Sequence, residues 1–354
     1  MQKIKVIQSL PMFVERFGNP YSTANWIFTG RLCRDRFNYL NKYSIFNWSE
    51  EVDPIPEPKD TPLSELMDRR ANELLGKSIA VQWSGGVDST SLLLALIKNG
   101  INKEDLVILM DENSIKEYPK LYQHLVDQKY QLKHIKDWDN CLSTVDTDII
   151  VNGWCADQLF GSVFFYTHPE MYFLSLEDFF NKVTLVKPLS NKEKKECIEV
   201  YKQMGKDLFN VDITCACELG WMMNFSLKWD WVKYYNELYT LGSENVFKTK
   251  VFYDTDYFQS WSVNNYPVIK AGNGFEDPRF YKTALKQYCN EVFPDEDFLL
   301  HKGKEPSWNP SFNDRIDSHS NTVRIKLEDS YVKVTIPPNV NPTESQRFFT
   351  KYMK

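Results

Sequence analysis

The fold class is decided by the stretch Ser78-Ile-Ala-Val-Gln-Trp-Ser-Gly-Gly-Val-Asp-Ser-Thr90. Its first half is a short apolar run, which is typical of a buried strand. A helical pattern then runs from Asp88 to Ile97 and stops at Asn99-Gly100. Between the two, Gly85 and Gly86 let the chain turn tightly. The stretch therefore predicts a strand, a turn and a helix in succession, which is the repeating unit of an α/β fold.

The same alternation continues on both sides of this stretch. An amphipathic helix is predicted over 63–74, and one further helix over 114–129. Additional strands are predicted at 106–110, 132–135 and 148–151. Strands that alternate with helices predict a parallel sheet covered on both faces.

The chain divides into four segments by pattern. Residues 1–60 form an N-terminal segment that ends in a proline-rich linker, and 61–165 form the α/β core. Residues 166–320 are predominantly helical and aromatic. Residues 321–354 hold a predicted β-hairpin, with alternating strands at 322–327 and 331–336.

Composition narrows the class of protein. The chain has 354 residues, a net charge of -6 and 42% hydrophobic residues, which suits a folded protein that buries a sizeable core. Its mild acidity disfavours nucleic acid as a partner. No apolar run approaches the roughly 20 residues of a membrane span. Seven scattered cysteines suit reduced thiols, so we expect a soluble cytoplasmic protein.

The turn after the first strand has the properties of a phosphate-binding loop. Backbone N–H groups at the glycines and the positive end of the next helix would face an anion at the carboxyl end of a parallel strand. Asp88 supplies a hard oxygen ligand for Mg²⁺. The alternative is a turn in which Ser84 and Asp88 merely cap the helix. The candidate ATP- and pyrophosphate-binding residues here are Ser84, Gly85, Gly86, Val87, Asp88, Ser89 and Thr90.

This loop resembles that of the N-type ATP pyrophosphatases, which include asparagine synthetase, GMP synthetase, NAD synthetase and several tRNA-modifying enzymes. A second motif, Gly153-Trp-Cys-Ala-Asp-Gln-Leu-Phe-Gly161, resembles the asparagine-synthetase signature Gly-Glu-Gly-Ala/Ser-Asp-Glu-Leu-Phe-Gly. The resemblance implies an ATP-pyrophosphatase (adenine nucleotide alpha hydrolase-like) domain with a helical C-terminal extension. It also implies that Asp157 is a catalytic residue that shares Mg²⁺ with Asp88, and that Gly153 belongs to the ATP- and pyrophosphate-binding residues. Backbone groups of Val81, Gln82 and Met110 are the adenine contacts that the resemblance implies. Taken alone, Asp157 would equally suit a buried capping residue.

A third segment carries a weaker resemblance. His301-Lys-Gly-Lys-Glu-Pro306 resembles the Arg-x-Lys segment of the family, whose lysine faces the acyl-adenylate. Lys304 is thus the candidate catalytic cation, with Lys302 in the place of the arginine. The alternative is a solvated basic loop. Residues 277–280 are only loosely similar to another family stretch.

Two departures concern the amide-forming step. The family's glutamate in the second motif, associated with activating the attacking nitrogen, is Trp154 here, and an indole cannot act as a base. Gln158 replaces a further acidic residue. Cys155 has no neighbouring histidine in sequence and suits a packed thiol, while Cys215-Ala-Cys217 lacks the second pair of a zinc site.

The resemblance implies an AMP-forming ligase that adenylates a small-molecule carboxylate with Mg²⁺-ATP and then transfers ammonia or an amine, with asparagine as the default product. The N-terminal cysteine of a glutaminase domain is not found at the start of this sequence, so we expect free ammonia, an amine, or ammonia from a separate glutaminase subunit. Two alternatives stay open. One is a nucleotide-binding protein that has lost turnover, and the other is an ATP pyrophosphatase that modifies tRNA or nucleotides.

Overall fold

The structure is a computed structural model. It describes residues 5–8, 35–40, 52–136, 145–161, 164–183, 189–229, 232–233, 248–270, 282–303, 322–326 and 331–335. The strands in these ranges are β1 (Lys5–Gln8), β2 (Ile79–Gln82), β3 (Leu106–Met110), β4 (Gln131–His134), β5 (Ile149–Asn152), β6 (Thr249–Val251), β7 (Thr322–Lys326) and β8 (Tyr331–Thr335). The α-helices are α1 (Leu63–Leu74), α2 (Val87–Lys98), α3 (Glu112–Glu117), α4 (Pro119–Asp127), α5 (Ala156–Phe160), α6 (Phe164–Thr167), α7 (Leu176–Lys182), α8 (Asn191–Phe209), α9 (Ala216–Met223), α10 (Asp256–Lys270), α11 (Thr283–Val292) and α12 (Glu296–His301).

Strands β2 to β6 form one sheet in the order β4-β3-β2-β5-β6, and every neighbouring pair is parallel. This confirms the predicted α/β class with a parallel sheet. Strand β2 is central, and Val81 lies opposite Ile108 of β3 and Val151 of β5. The carboxyl ends of β2 and β5 are therefore neighbours, so the loops that follow these two strands meet at one edge of the sheet.

Side chains on one face of the sheet form a buried apolar cluster. It contains Ala80, Leu109, Ile135, Val145 and Ile150. Each of these residues comes from β2, β3 or β5 or from the segments just outside β4 and β5. This packing fixes the register of the central strands and hence the position of the loops at their carboxyl ends.

The predicted helix over 114–129 is wrong, because two helices occupy this stretch. Helix α3 ends at Glu117 and α4 begins at Pro119. Tyr118 between them has φ -144° and ψ 71°, which is outside the helical region. The ring of Pro119 disfavours the helical conformation of the residue before it, and proline is well placed at the first position of a new helix.

Two strands did not follow from the sequence pattern. Strand β6 lies within the stretch expected to be helical, and it extends the sheet by pairing with β5. Strand β1 lies in the N-terminal segment, where no period was apparent, and it pairs antiparallel with β7. The predicted C-terminal hairpin is present, with Val323 opposite Val334. Among the described residues, no helix has the length and apolar character that crossing a membrane requires.

The chain forms two compact units, each assembled from separate segments. One unit consists of Met1–Ile55, Gly161–Tyr234 and Pro306–Lys354, and it holds helices α6 to α9 and the antiparallel sheet. The other consists of Pro56–Phe160 and Tyr235–Glu305, and it holds the parallel sheet with its helices. The first motif lies in this second unit, as does the second motif as far as Phe160.

Asp68 of α1 joins three helices of the unit that contains the parallel sheet. Its carboxylate accepts hydrogen bonds from the Lys98 ammonium at 2.7 Å, the Tyr288 hydroxyl at 2.7 Å and the Asn99 amide at 3.1 Å. Burial raises the pKa of Asp68, but the bonds from Lys98, Tyr288 and Asn99 outweigh it and lower the pKa below its usual range. The hydrogen bond from Tyr288 connects α1 to α11, the helix that begins directly after Lys282.

We expect Asp68→Asn to lower the free energy of unfolding by about 1 kcal/mol at pH 7, since solvent screens part of this network. A carboxyl group whose pKa is lowered on folding stabilises the fold above its ordinary pKa, and this stability is lost as the pH falls through the lowered pKa. The difference from wild type should therefore shrink below about pH 4. Urea unfolding over this pH range measures it, with the exposed Asp60→Asn as control. A difference independent of pH would contradict the account.

Candidate active site

The loop between β2 and α2 contains two glycines, and the second of them begins the helix. Gly85 has φ +79°, a conformation that favours glycine, and Gly86 is the N-cap of the helix. The N-cap glycine has no side chain that could accept a hydrogen bond from the first turn, and the Ser84 hydroxyl accepts one from the Gly86 N–H at 3.4 Å. A helix N-terminus that begins at a glycine suits an anion site at the backbone N–H groups of the first turn.

The three hydroxyl residues of the loop have different positions. Ser84 is exposed, whereas Ser89 and Thr90 are buried. The Thr90 hydroxyl accepts a hydrogen bond from the Trp83 indole at 3.1 Å, and the Ser89 hydroxyl accepts one from the Ser84 N–H at 3.0 Å. Ser84 is thus the hydroxyl that faces solvent, while the other two stabilise the turn.

The second motif packs directly on the first. Gly153 follows β5, and a Cβ atom on it would lie 2.9 Å from the carbonyl carbon of Asp88 and 3.0 Å from the Ser89 nitrogen. Because these are backbone atoms, no larger residue fits without displacing α2. Asp157 lies in the first turn of α5, which starts three residues after this contact.

The carboxylates of Asp88 and Asp157 converge on a single ammonium group, that of Lys282. Its Nζ lies 2.5 Å from both carboxylate oxygens of Asp88 and 2.6 Å from one oxygen of Asp157. The Lys282 side chain is 3% exposed and each aspartate side chain 26% exposed, so both aspartates keep partial access to solvent. The structure therefore brings both predicted metal ligands into one site.

Lys282 was missed in the sequence. It comes more than a hundred residues after the second motif, just before α11, and adopts a left-handed conformation with φ +58°. A single lysine at the start of a helix carries no pattern that separates it from a solvated surface residue. Only the fold brings it to the two aspartates.

Besides Lys282, two buried groups lie near Asp88, and both are neutral. Tyr253, just after β6, shares a hydrogen bond of 2.6 Å with the Ser91 hydroxyl and donates to the Asp88 carbonyl at 3.2 Å. Burial, with a smaller effect of the Asp88 charge, raises the pKa of Tyr253 and of the Cys289 thiol well above their usual values. Both groups stay uncharged at neutral pH. Tyr253, which directly follows the edge strand β6 and Phe252, thus hydrogen-bonds to the first turns of α2.

The predicted adenine contacts lie at the carboxyl end of the sheet. Val81 is buried in central strand β2, Gln82 is half-buried, and Met110 ends β3. The Met110 carbonyl accepts a hydrogen bond from the N–H of Ile135, the residue after β4, at 2.8 Å. This carbonyl is therefore already hydrogen-bonded within the protein.

The two residues that depart from the family motif flank its functional positions. Trp154 directly follows Gly153, and Gln158 directly follows Asp157. Trp154 is half-buried, and its backbone N–H donates a hydrogen bond to the Asn152 side-chain oxygen at 3.2 Å. Gln158 and Cys155 are buried, and the latter has φ +70°. Cys155 is thus a packed thiol, as its sequence context indicated.

Lys302 contacts Glu117, and Glu117 lies beside the loop that precedes α2. Its Nζ is 2.9 Å from the Glu117 carboxylate, and a Cβ atom on Gly86 would lie 3.3 Å from that same carboxylate. Lys304 and residues 277–280 lie outside the described residues.

The donor set fits Mg²⁺. Two carboxylates, from the first turns of α2 and α5, already contact one cation, the Lys282 ammonium. Mg²⁺ in nucleotide sites commonly takes one or two carboxylates together with phosphate oxygens and water. Within the described part of the chain, no group of three or more histidine, cysteine or acidic side chains is arranged to hold a metal. Cys215 and Cys217, whose Sγ atoms are 3.1 Å apart, belong to no such group.

Lys282→Met provides a test of this cation site. Removing the ammonium leaves two carboxylates facing each other, so we expect a loss of stability on the order of 2 kcal/mol without metal. Millimolar MgCl₂ should then raise the melting temperature of the variant more than that of wild type, because the metal replaces the missing charge. The exposed Lys77→Met is the matched control, and NaCl at equal ionic strength corrects for screening. Equal responses of variant and wild type to Mg²⁺ would contradict the assignment.

The site therefore combines a helix N-terminus that begins at a glycine, two converging carboxylates and a buried lysine at the carboxyl edge of a parallel sheet. A scan against models of known protein families gives no match for this chain, and a search of curated proteins gives no significant match.

Proposed function

We propose that the chain is an ATP-dependent, AMP-forming carbon–nitrogen ligase of the asparagine-synthetase type. The observation that carries this proposal is the convergence of Asp88 and Asp157 on Lys282, at the mouth of the loop that precedes α2. Each aspartate comes from a different motif, and each motif by itself allowed a purely structural explanation. A shared site for the two carboxylates is what an enzyme that binds a metal–pyrophosphate complex needs.

In the proposed reaction a substrate carboxylate attacks the α-phosphorus of ATP, and the bond to the bridging oxygen breaks to release pyrophosphate. The N–H groups of the first turn of α2 and the exposed Ser84 hydroxyl hold the departing phosphates. Asp88 and Asp157 hold Mg²⁺, which when bound neutralises charge on the leaving pyrophosphate. Lys282 supplies a further positive charge beside the same carboxylates.

A nitrogen nucleophile then attacks the acyl carbon, and AMP leaves. By the resemblance stated above, Lys304 is the cation proposed to face the acyl-adenylate. Trp154 cannot accept a proton from the nitrogen, so a nucleophile that is already an uncharged amine or ammonia suits this site best. The acid is aspartate by resemblance alone.

The proposal is tested by incubating the protein with Mg²⁺-ATP and a metabolite extract, and following AMP and AMP-linked products by mass spectrometry. We expect AMP to form, to require the extract, and to disappear in Asp88→Ala. The same panel, repeated with aspartate and related acids, identifies the substrate. ATP that stays intact under every condition, although it binds, would contradict the ligase and favour the second candidate.

That second candidate is a nucleotide-binding protein without turnover. Trp154 and the buried Gln158 favour it, since both replace acidic groups of the family motif. It predicts ATP binding that depends on the loop before α2 with no AMP formation. The two candidates therefore differ in one measurable product.

A further inference from the structure

The corner between α3 and α4 forms a wall of the phosphate loop. A Cβ atom on Gly85 would lie 2.5 Å from the Ser114 carbonyl oxygen and 2.8 Å from the Cβ of Glu117. One on Gly86 would lie 3.3 Å from the Glu117 carboxylate. Glu117 thus places a negative charge beside a loop whose proposed ligand is a polyanion, and this charge needs a counterion if phosphates are to bind there.

The N-terminal turn of α12 contacts the same corner through Tyr118. Tyr118 is buried, and its ring stacks on that of Phe298 with centroids 4.2 Å apart and planes 16° apart. Its hydroxyl donates to Asp295 at 3.2 Å, and the Asp295 side chain also caps α12 by accepting from the Phe298 N–H. The first turn of α12 is therefore fixed to Tyr118 by both packing and hydrogen bonding.

The end of α12 is fastened to the neighbouring residue. Lys302 is the C-cap of this helix, and its side chain is 9% exposed. Its Nζ lies 2.9 Å from the Glu117 carboxylate and donates to the Glu117 carbonyl at 3.4 Å. Consecutive residues of the corner, Glu117 and Tyr118, thus hold the two ends of α12.

We infer that Glu117 is a positioning residue for the adenylation step: it fixes Lys302 at the phosphate loop and is in turn neutralised by Lys302. This inference rests on the proposed function. Helix α3 ends at Glu117 because Pro119 begins a new helix, and this break places Glu117 at the corner between the two helices. In one continuous helix the Glu117 carboxylate would not lie at such a corner. Glu117 acts through Lys302 and does not contact the reacting atoms.

The test is a double-mutant cycle with Glu117→Gln, Lys302→Met and the double variant, read by exchange of labelled pyrophosphate into ATP with Mg²⁺ and aspartate or another accepted acid. Each single variant should lower kcat by about ten- to hundredfold, since misplacement of a catalytic segment has effects of this size. The double variant should be no slower than the slower single variant, because both changes break one contact. The exposed Glu104→Gln, at the opposite end of β3, is the control and should match wild type.

The KM for ATP separates positioning from a general structural defect. Lys302→Met leaves the Glu117 charge uncompensated beside the loop, so its KM for ATP should rise. Adding Glu117→Gln should bring the KM back towards the wild-type value while kcat stays low. Losses of kcat that multiply in the double variant, or a KM that rises further there, would overturn the inference.

Hydrogen exchange of the backbone over residues 296–303 tests the attachment without any substrate. Glu117→Gln should speed exchange there and leave α2 unchanged, whereas unchanged protection of α12 would overturn the inference. Wild-type protein that gives no pyrophosphate exchange with any acid would contradict the proposed function. Exchange in wild type that Glu117→Gln leaves unaltered would contradict only the role of Glu117.

Discussion

Replacing Asp88 by asparagine is expected to lower the rate of pyrophosphate exchange by about 10²–10³-fold, the size of effect seen when a preorganised electrostatic group is removed from an active site. Asparagine keeps the shape of the side chain and removes the charge that the proposed Mg²⁺ site needs. The fold should tolerate the change, because Asp157 keeps its ion pair with Lys282 at 2.6 Å. Exchange at saturating ATP over a range of Mg²⁺ concentrations measures the effect.

The control for Asp88→Asn is Asp127→Asn, at the exposed end of α4. Asp157→Asn should act in the same direction as Asp88→Asn, with a weaker response to added Mg²⁺ than in wild type. Exchange rates close to wild type in both site variants would mean that the two carboxylates have a structural role only.

Gly85→Ala is expected to abolish the stabilisation of the protein by ATP and to destabilise the fold. Gly85 has φ +79°, which costs a side chain about 1 kcal/mol, and a Cβ atom there would lie 2.5 Å from the Ser114 carbonyl oxygen. Relief of this clash requires movement of backbone, which adds about 1–3 kcal/mol and displaces the loop from α3. The melting temperature with and without Mg²⁺-ATP measures both effects.

Gly76→Ala is a closely matched control for this change. Gly76 has the same φ of +79°, but a Cβ atom there would meet nothing within 4 Å. Its variant should therefore lose only the conformational part, about 1 kcal/mol, and keep the full response to ATP. Similar losses in the two variants would show that the contact between the loop and α3 contributes nothing.

The α/β class and the central strands followed from the sequence because short apolar runs bounded by turn residues identify buried strands. Thus β3 was predicted at its observed bounds, and β2 and β5 to within a residue or so. Strand β6 has only three residues, Thr249–Val251, and its pairing with β5 depends on a long excursion of the chain. Local pattern cannot detect such a strand. The break before Pro119 was predictable from proline chemistry and was overlooked because the apolar spacing continued across it.

The site divides in the same way. Asp88 and Asp157 each follow a buried strand within a compact motif, so their residue types and surroundings pointed to them. Lys282 and Glu117 lie in no motif, and their importance follows from where α11 and the α3–α4 corner pack. Tyr253 also lies in no motif, and it reaches Asp88 because it follows the edge strand β6. Sequence patterns identified the residues on the sheet edge, whereas tertiary packing supplies the residues that surround them.

The most direct test of the central claim is a crystal structure of the protein with Mg²⁺ and α,β-methylene-ATP, which cannot release pyrophosphate. We predict that the metal lies between the Asp88 and Asp157 carboxylates and that the β- and γ-phosphates meet the N-terminus of α2. Lys282 should then contact phosphate in place of at least one aspartate. A nucleotide bound elsewhere, with Lys282 still paired to both aspartates, would contradict the account.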